Sequence, residues 1–170
     1  KFSWSLYDWA NSVFATTVLA GFFPLFFKSY WAGDLDDATS TALLGTASSV
    51  AGLIIVLVAP LLGAMADLSR KKKLFLSIFA LLGIISTSIL FFISYGYWLW
   101  SLIIFGLSVI GFSGANIFYD SLLIDVSSNE DRNYVSSMGY ALGYLGGGIL
   151  FLINVSMYLY PSFFNLDSQT

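Results

Sequence analysis

The stretch LFLSIFALLGIISTSILFFISYGYWLWSLIIFGLSVIGFSGANIFY, residues 74–119, is 46 residues long and has no charged side chain. As a single helix it would be about 69 Å long, at 1.5 Å per residue. The hydrocarbon core of a bilayer is only about 30 Å thick, and about 20 helical residues cross it. The stretch therefore has to cross twice. We predict the break at residues 94–97, where a glycine lies among aromatic residues typical of the membrane interface.

Three further runs lack charge and are each long enough for one crossing. They cover residues 9–27, 38–66 and 133–166. The runs are continuously apolar and do not alternate as the strands of a membrane β-barrel do. The sequence therefore predicts an all-α membrane protein with five transmembrane helices. Their expected bounds are about 7–30, 41–65, 74–94, 98–119 and 134–157.

The composition excludes several functional classes. Hydrophobic residues make up 58% of the chain and charged residues 10%, with a net charge of -3. Soluble domains carry about 25% charged residues, and nucleic-acid binding needs a basic surface. The chain has no cysteine and no histidine, so Cys/His zinc sites, Ser-His-Asp triads and haem ligation through these residues are excluded. We expect no enzyme activity, no metal, no cofactor and no nucleic-acid partner.

The basic residues predict the orientation in the bilayer. Six of the seven lie before the first predicted helix or in the two connections on the same side, namely Lys1, Arg70, Lys71, Lys72, Lys73 and Arg132. Only Lys28 lies on the other side. Since short basic connections stay in the cytoplasm, we expect a multi-pass membrane protein with a cytoplasmic N-terminus.

The segment GAMADLSRKKK, residues 63–73, connects the second and third predicted helices. It resembles the loop motif of the major facilitator superfamily, in which a glycine, three residues, an aspartate and a short gap precede a basic pair. Gly63, Asp67, Lys71 and Lys72 occupy these positions. In that family the glycine permits close helix packing. The charged residues make contacts that hold one conformation of the two halves of the transporter.

Two positions depart from that motif. Leu68 stands where a basic residue is usual, and Arg70 stands where glycine is usual. A simpler interpretation of residues 70–73 is that they only anchor the protein by the positive-inside rule. The glycine and aspartate directly before the basic cluster favour the motif.

Three other segments resemble the vacuolar-effluxer-like branch of the same superfamily, whose yeast members export amino acids from the vacuole. They are YDWANS at residues 7–12, FATTV at 14–18 and GYALGYLGG at 139–147. A fourth segment, residues 118–123, stands where that branch tends to have an asparagine, which Asp120 replaces here.

The resemblance implies a secondary transporter with twelve helices in two halves, each built from a 3+3 repeat. Residues 1–170 would form the N-terminal bundle without its sixth helix. Its partners would be the bilayer, a small solute such as an amino acid, a coupling proton, and a C-terminal half in the same longer chain or in a second subunit. We expect gradient-driven efflux by alternating access, at the plasma (inner) membrane or, alternatively, the vacuolar membrane.

A polar stripe on the first predicted helix is the first candidate site. Asp8, Asn11 and Ser12, with Thr16 further on, share one helix face because they are spaced three, four and eight residues apart. In the resembled fold this helix lines the central cavity, so the stripe would face the solute. The alternative is that Asp8 only caps the helix at the wet interface.

The second candidate site lies near the end of the fourth predicted helix. Asp120 follows Tyr119, with Asn116 one turn earlier. A carboxylate at a helix C-terminus is disfavoured by the helix dipole, so it needs a proton, water or a basic partner. Asp120 either couples proton movement to transport or pairs with Arg132 in the next connection.

Tyr140 and Tyr144 lie inside the fifth predicted helix, beside Gly139, Gly143 and Gly147. Small residues at this spacing are typical of helix packing in membranes. The two tyrosines could donate hydroxyl groups into the cavity, or fill space against the other half.

A different class of function also fits the sequence. The incomplete set of helices and the departures from the loop motif are compatible with a non-transporting membrane scaffold or a receptor-like remnant of a transporter. In that case the candidate polar residues could be changed without affecting solute flux.

Overall fold

The computed structural model describes residues 1–69 and 71–166. These residues form five helices that are long and apolar enough to cross a membrane, and they contain no strand. The predicted all-α membrane fold is confirmed. We name the helices α1 to α5 in chain order: Phe2–Trp31, Asp37–Ser69, Lys72–Phe92, Trp98–Val126 and Arg132–Leu159.

Most helix ends lie further out than the hydropathy predicted. α1 begins at Phe2 rather than near residue 7, and α4 continues to Val126 rather than ending at residue 119. Hydropathy marks only the part of a helix that can lie in hydrocarbon, whereas the backbone hydrogen bonds continue past the first charged side chain. The predicted break between α3 and α4 is confirmed, and Gly96 adopts a φ of 81° there, which a glycine reaches without steric cost.

The hydrogen-bond register of α1 is irregular. Phe14–Phe22 and Phe27–Trp31 are π-helical, and the α-helical turn between them, Phe23–Phe26, contains Pro24. Proline offers no N–H group to the helix, so the backbone bonds around it must rearrange. Widened π turns of this kind are frequent at functional positions.

Asp36 caps the start of α2. Its carboxylate accepts hydrogen bonds from the backbone N–H of Thr39 (3.0 Å) and from the Thr39 hydroxyl (2.6 Å). These bonds, the hydroxyl's first, lower the pKa of Asp36 below its usual value. The capping contact is therefore fully present at neutral pH. It is lost only when the pH falls through this lowered pKa.

The chain divides into two compact units. One contains Lys1–Phe23 and the chain from Asn129 onward, and so pairs the first part of α1 with α5. The other is Pro24–Ser128 and contains the end of α1 with α2, α3 and α4.

The core of the Pro24–Ser128 unit is aromatic. Phe118 of α4 is fully buried and stacks on two rings of α3, with ring centroids 5.2 Å from Phe75 and 5.8 Å from Phe79. Leu62 of α2 packs against the same ring. A single α4 side chain thereby joins the three helices near one end of the unit.

Beyond this aromatic cluster, α3 and α4 approach through glycines. A Cβ atom added to Gly111 would lie 2.7 Å from the Cα of Gly83 and 2.8 Å from the carbonyl oxygen of Phe79. Such an approach leaves no room for any side chain. Close van der Waals packing between small residues is the main attraction between helices in lipid, where burial from water adds little.

We therefore expect Gly111→Ala to destabilise the protein by about 1–3 kcal/mol, because the methyl group would push two backbones apart. Gly106→Ala is the matched control on the same helix, since no described atom lies within 4 Å of its Cβ position. The control should be neutral or slightly stabilising, because alanine favours helices. Thermal unfolding in detergent measures both variants, and equal melting temperatures would contradict the close approach.

Candidate functional site

The polar stripe of α1 packs against a glycine of α5. A Cβ atom added to Gly143 would lie 2.7 Å from Oδ2 of Asp8 and 2.6 Å from Oγ of Ser12. One turn further, the Thr16 hydroxyl lies 3.3 Å from the carbonyl oxygen of Gly147 and 3.1 Å from that of Ser12. The stripe therefore lies at the contact between α1 and α5 within their unit.

The alternative that Asp8 caps α1 is wrong. The helix begins at Phe2, so Asp8 lies in its second turn, where the backbone already has helical partners. Asp8, Asn11 and Ser12 are all half-buried. An ionisable residue at such a position within a span-length helix is more typical of a functional group than of a cap.

Trp9 makes a contact that the sequence did not predict. Its indole ring lies over Gly146, at the position that any larger side chain would occupy. The signal was present in the sequence as a run of three glycines at residues 146–148, which includes Gly147 of the predicted ridge. What it lacked was the identity of the partner, since the pattern of one helix does not show which residue of another helix faces its glycines.

The glycine ridge and the tyrosines of α5 lie on different faces. Gly139, Gly143 and Gly147 are buried, in agreement with helix packing. Tyr140 and Tyr144 are exposed, at 67% and 80% of their surface. The structure thus leaves both tyrosines uncovered within their unit, and both alternatives for them stay open.

Asp120 lies inside α4 and not at its end. The helix continues to Val126, so the argument from the helix dipole at its C-terminus is wrong. The Asp120 side chain is exposed, while Asn116 is half-buried and Tyr119 buried. Arg132 donates from Nη2 to Oδ1 of Asn129 at 2.9 Å. Pairing of Asp120 with Arg132 stays a prediction.

The loop motif is mostly helical. α2 extends to Ser69, so Asp67 belongs to its last turn and not to the connection that the sequence predicted after residue 65. Gly63 lies one turn earlier in the same helix. Arg70 lies outside the described residues. Lys71 directly precedes α3, and Lys72 is its first residue. Among the described residues no atom lies within 4 Å of a Cβ position at Gly63, so the close packing expected of it is not observed.

Lys72 joins the start of α3 to the end of α4. Its Nζ atom lies 2.9 Å from Oδ2 of Asp125 and 3.2 Å from the carbonyl oxygen of Ser121. The lysine side chain is 16% exposed and the aspartate 49%. Sequence reasoning missed Asp125, because it was placed beyond the end of the fourth helix. The available signal was an acidic residue close to a segment that must face four basic ones.

Metal binding has no support in the described ranges. Within residues 1–69 and 71–166, no group of three or more acidic side chains could hold a metal ion. The polar residues described above are suited to hydrogen bonding, charge pairing and proton exchange.

Comparison with known proteins identifies the family. Residues 29–129, more than half of the chain, match the family described as "Vacuole effluxer Atg22 like". The chain belongs to this family. It is 43% identical over 158 residues to the uncharacterized MFS-type transporter YxiO of Bacillus subtilis. The matched region covers 92% of this chain and 37% of YxiO.

A second relative is an uncharacterized protein of Aquifex aeolicus, 27% identical over 147 residues, or 86% of this chain and 36% of that protein. The chain thus spans little more than a third of the length of either relative. No solved structure matches it significantly. The predicted resemblance to major facilitators and to their vacuolar-effluxer-like branch is confirmed, and the fold is that of a multi-pass membrane protein of this transporter type.

The contact between α1 and α5 predicts that Gly143→Ala displaces the Asp8 carboxylate and the Ser12 hydroxyl. We expect a loss of stability of about 1 kcal/mol, the cost of forcing the ends of two side chains away from their preferred rotamers. Gly148→Ala on the same helix is the control, because no described atom lies within 4 Å of its Cβ position. Thermal unfolding compares them, and a neutral Gly143→Ala would show that the stripe does not pack on α5.

The Lys72–Asp125 contact predicts a coupling of about 1 kcal/mol, typical of a partly exposed ion pair. A double-mutant cycle with Lys72→Met and Asp125→Asn measures it through the free energy of unfolding. Lys73→Met serves as the control, because Lys73 follows directly on the same helix and is exposed. Strict additivity of the two changes would contradict the contact.

Proposed function

We propose that residues 1–170 are the N-terminal half of a secondary transporter that moves a small solute across a membrane by alternating access. Amino acids are the first substrates to test, and efflux driven by a gradient is the expected mode. Membership in the Vacuole effluxer Atg22 like family is the observation that carries this proposal. The name of YxiO, an MFS-type transporter, supports it.

Asp120 is the proposed coupling group. It is an exposed carboxylate within the span-length helix α4. Placing a charged side chain at the level of a membrane is costly, and such residues commonly mark ion or proton pathways. Exposure matters here, because a group that exchanges protons needs access to water in at least one state of the cycle.

Each unit holds its own proposed solute-binding residues. In the unit of Lys1–Phe23 and the chain from Asn129 onward they are Asp8, Asn11 and Ser12 of α1, with the exposed Tyr140 and Tyr144 of α5. In the Pro24–Ser128 unit they are Asn116 and Tyr119 of α4. Carboxylates, amides and hydroxyls can pair with the ammonium group of an amino acid and accept or donate further hydrogen bonds.

The residues around the end of α2 and the start of α3 are the proposed conformational lock. Gly63, Asp67, Lys71 and Lys72 match the loop motif, and Lys72 reaches Asp125 of α4. An ion pair that joins two helix ends holds one arrangement of those ends. It can break when the arrangement changes, since its net contribution to stability is small.

The remaining part of the transporter is proposed to be a C-terminal half, in the same longer chain or in a second subunit. The length of the relatives supports this, because the chain spans only 37% of YxiO. The basic residues support a cytoplasmic N-terminus by the positive-inside rule. The plasma (inner) membrane is the proposed location, and the vacuolar membrane is the alternative.

The test is flux of radiolabelled amino acids in proteoliposomes that contain the full-length protein, with an imposed pH gradient. Asp120→Asn should abolish gradient-driven flux and leave exchange of solute across the membrane intact. The reason is that an amide cannot carry the proton, whereas exchange needs no net proton movement. Equal driven flux in the variant and the wild type would contradict the coupling role.

Asp36→Asn is the matched control, because it makes the same chemical change outside the spans and asparagine also caps helices. It should leave both driven flux and exchange unchanged. If the wild-type protein moved no amino acid under any gradient, this transport function would be refuted for amino acids and the scaffold interpretation would gain.

A further inference from the structure

The end of α1 is attached to the turn between α3 and α4 by two backbone-directed hydrogen bonds. The indole Nε1 of Trp31 donates to the carbonyl oxygen of Ile93 at 3.0 Å. The backbone N–H of Gly96 donates to the carbonyl oxygen of Tyr30 at 3.3 Å. Trp31 is buried, with 7% of its surface exposed. The Trp31 bond is therefore largely shielded from water and is expected to persist.

A third hydrogen bond joins the same two segments and differs in character. The Tyr95 hydroxyl donates to Oδ1 of Asp34 at 2.8 Å, between side chains that are both exposed. Water can replace either partner at an exposed site, so breaking this bond costs far less than breaking a buried one. Of the three hydrogen bonds, the one between Tyr95 and Asp34 is therefore the easiest to break.

Contacts with neighbouring residues fix the position of the Tyr95 side chain. A Cβ atom added to Gly33 would lie 3.0 Å from the Tyr95 hydroxyl and 3.2 Å from its ring. The ring also meets Tyr30 edge to face, with centroids 5.6 Å apart. The close approach to Gly33 and the ring contact together orient the hydroxyl toward Asp34, so the bond does not depend on a freely rotating side chain.

The bond is present throughout the physiological pH range. Its acceptor, the Asp34 carboxylate, raises the pKa of Tyr95 above its usual value, first through the hydrogen bond and then through its negative charge. The donor proton is therefore fully retained below the usual tyrosine pKa of about 10. The hydroxyl loses its proton only as the pH rises through the raised value, so titration of Tyr95 does not release the contact at neutral pH.

We propose that Tyr95 and Asp34 form a clasp that holds the connection between α1 and α2 on the α3–α4 turn and opens when this end of the protein changes shape during transport. This inference rests on the proposed transport function. Because Trp31 stays attached to Ile93, opening the clasp frees residues 32–36 without detaching the helix end. The clasp acts on the connection to α2, whose start Asp36 caps.

Backbone hydrogen exchange in the full-length protein in lipid nanodiscs tests whether the clasp exists, without any transport assay. Tyr95→Phe removes only the hydroxyl and should speed exchange several-fold in residues 32–36 and 93–97. Asp34→Ala should have the same effect, and the double variant should exchange no faster than either single one. Tyr97→Phe, an exposed tyrosine of the same turn, should match the wild type.

Two results would overturn the clasp. One is equal exchange in Tyr95→Phe and Tyr97→Phe, and the other is strictly additive acceleration by the two clasp substitutions. Either result would mean that the hydroxyl and the carboxylate do not act on each other.

A reversible lock tests whether opening belongs to the transport cycle. Asp34→Cys and Tyr95→Cys are combined in full-length protein without other cysteines and joined by a bifunctional thiol reagent with a reducible spacer. Flux of radiolabelled amino acids should be lost on cross-linking and return on reduction, whereas each single-cysteine variant treated with the reagent should keep its flux. Full flux in the cross-linked protein would refute the role in the cycle.

Failure of the proposed function gives a different pattern. The wild-type protein would then move no solute, and the transport role of the clasp would fall with it. The hydrogen-exchange comparison would still decide whether Tyr95 and Asp34 hold the two segments together.

Discussion

Every backbone N–H and C=O group in a bilayer must find a partner inside the protein, and the five helices follow from that constraint. Once the backbone is satisfied within each helix, little burial from water remains to bring helices together, so close packing has to do so. Two contacts show this close packing most clearly. Gly111 approaches the backbone of Gly83, and Thr16 contacts Gly147. The positions of these glycines along their helices determine which side chains can pack beside them.

The sequence was sufficient for the number of helices because charge is so costly in hydrocarbon that its absence marks each crossing. The ends of the helices could not be obtained in this way, since a helix leaves the membrane before it stops. Asp120 shows the consequence. Hydropathy placed Asp120 at the end of α4, where the helix dipole would disfavour a carboxylate. Since α4 continues to Val126, that argument does not apply. Asp125 was missed for the same reason, although it holds Lys72.

The candidate site was predictable in its residue types and not in its contacts. The spacing of Asp8 and Ser12 placed them on one face of α1, and the glycines of α5 indicated a packing surface. That these two features meet at Gly143 depends on the pairing of helices far apart in sequence, which neither pattern contains. Trp9 over Gly146 belongs to the same contact. A single sequence gives the periodicity of each face, whereas the choice of partner is a property of the whole fold.

The contacts of the Pro24–Ser128 unit differ in strength along its length. Its interior holds the fully buried ring of Phe118, where any shift would open a gap or force atoms together. At one end, the partly exposed ion pair of Lys72 and Asp125 joins α3 to α4. At the other end, the exposed hydrogen bond of Tyr95 to Asp34 joins the α3–α4 turn to the connection before α2. Exposed polar contacts exchange with water at small net cost, so they can differ between two states that share one interior. A unit built in this way can change at either end while α3 and α4 stay packed, and the proposed transport by alternating access would use that combination of a fixed interior and releasable ends.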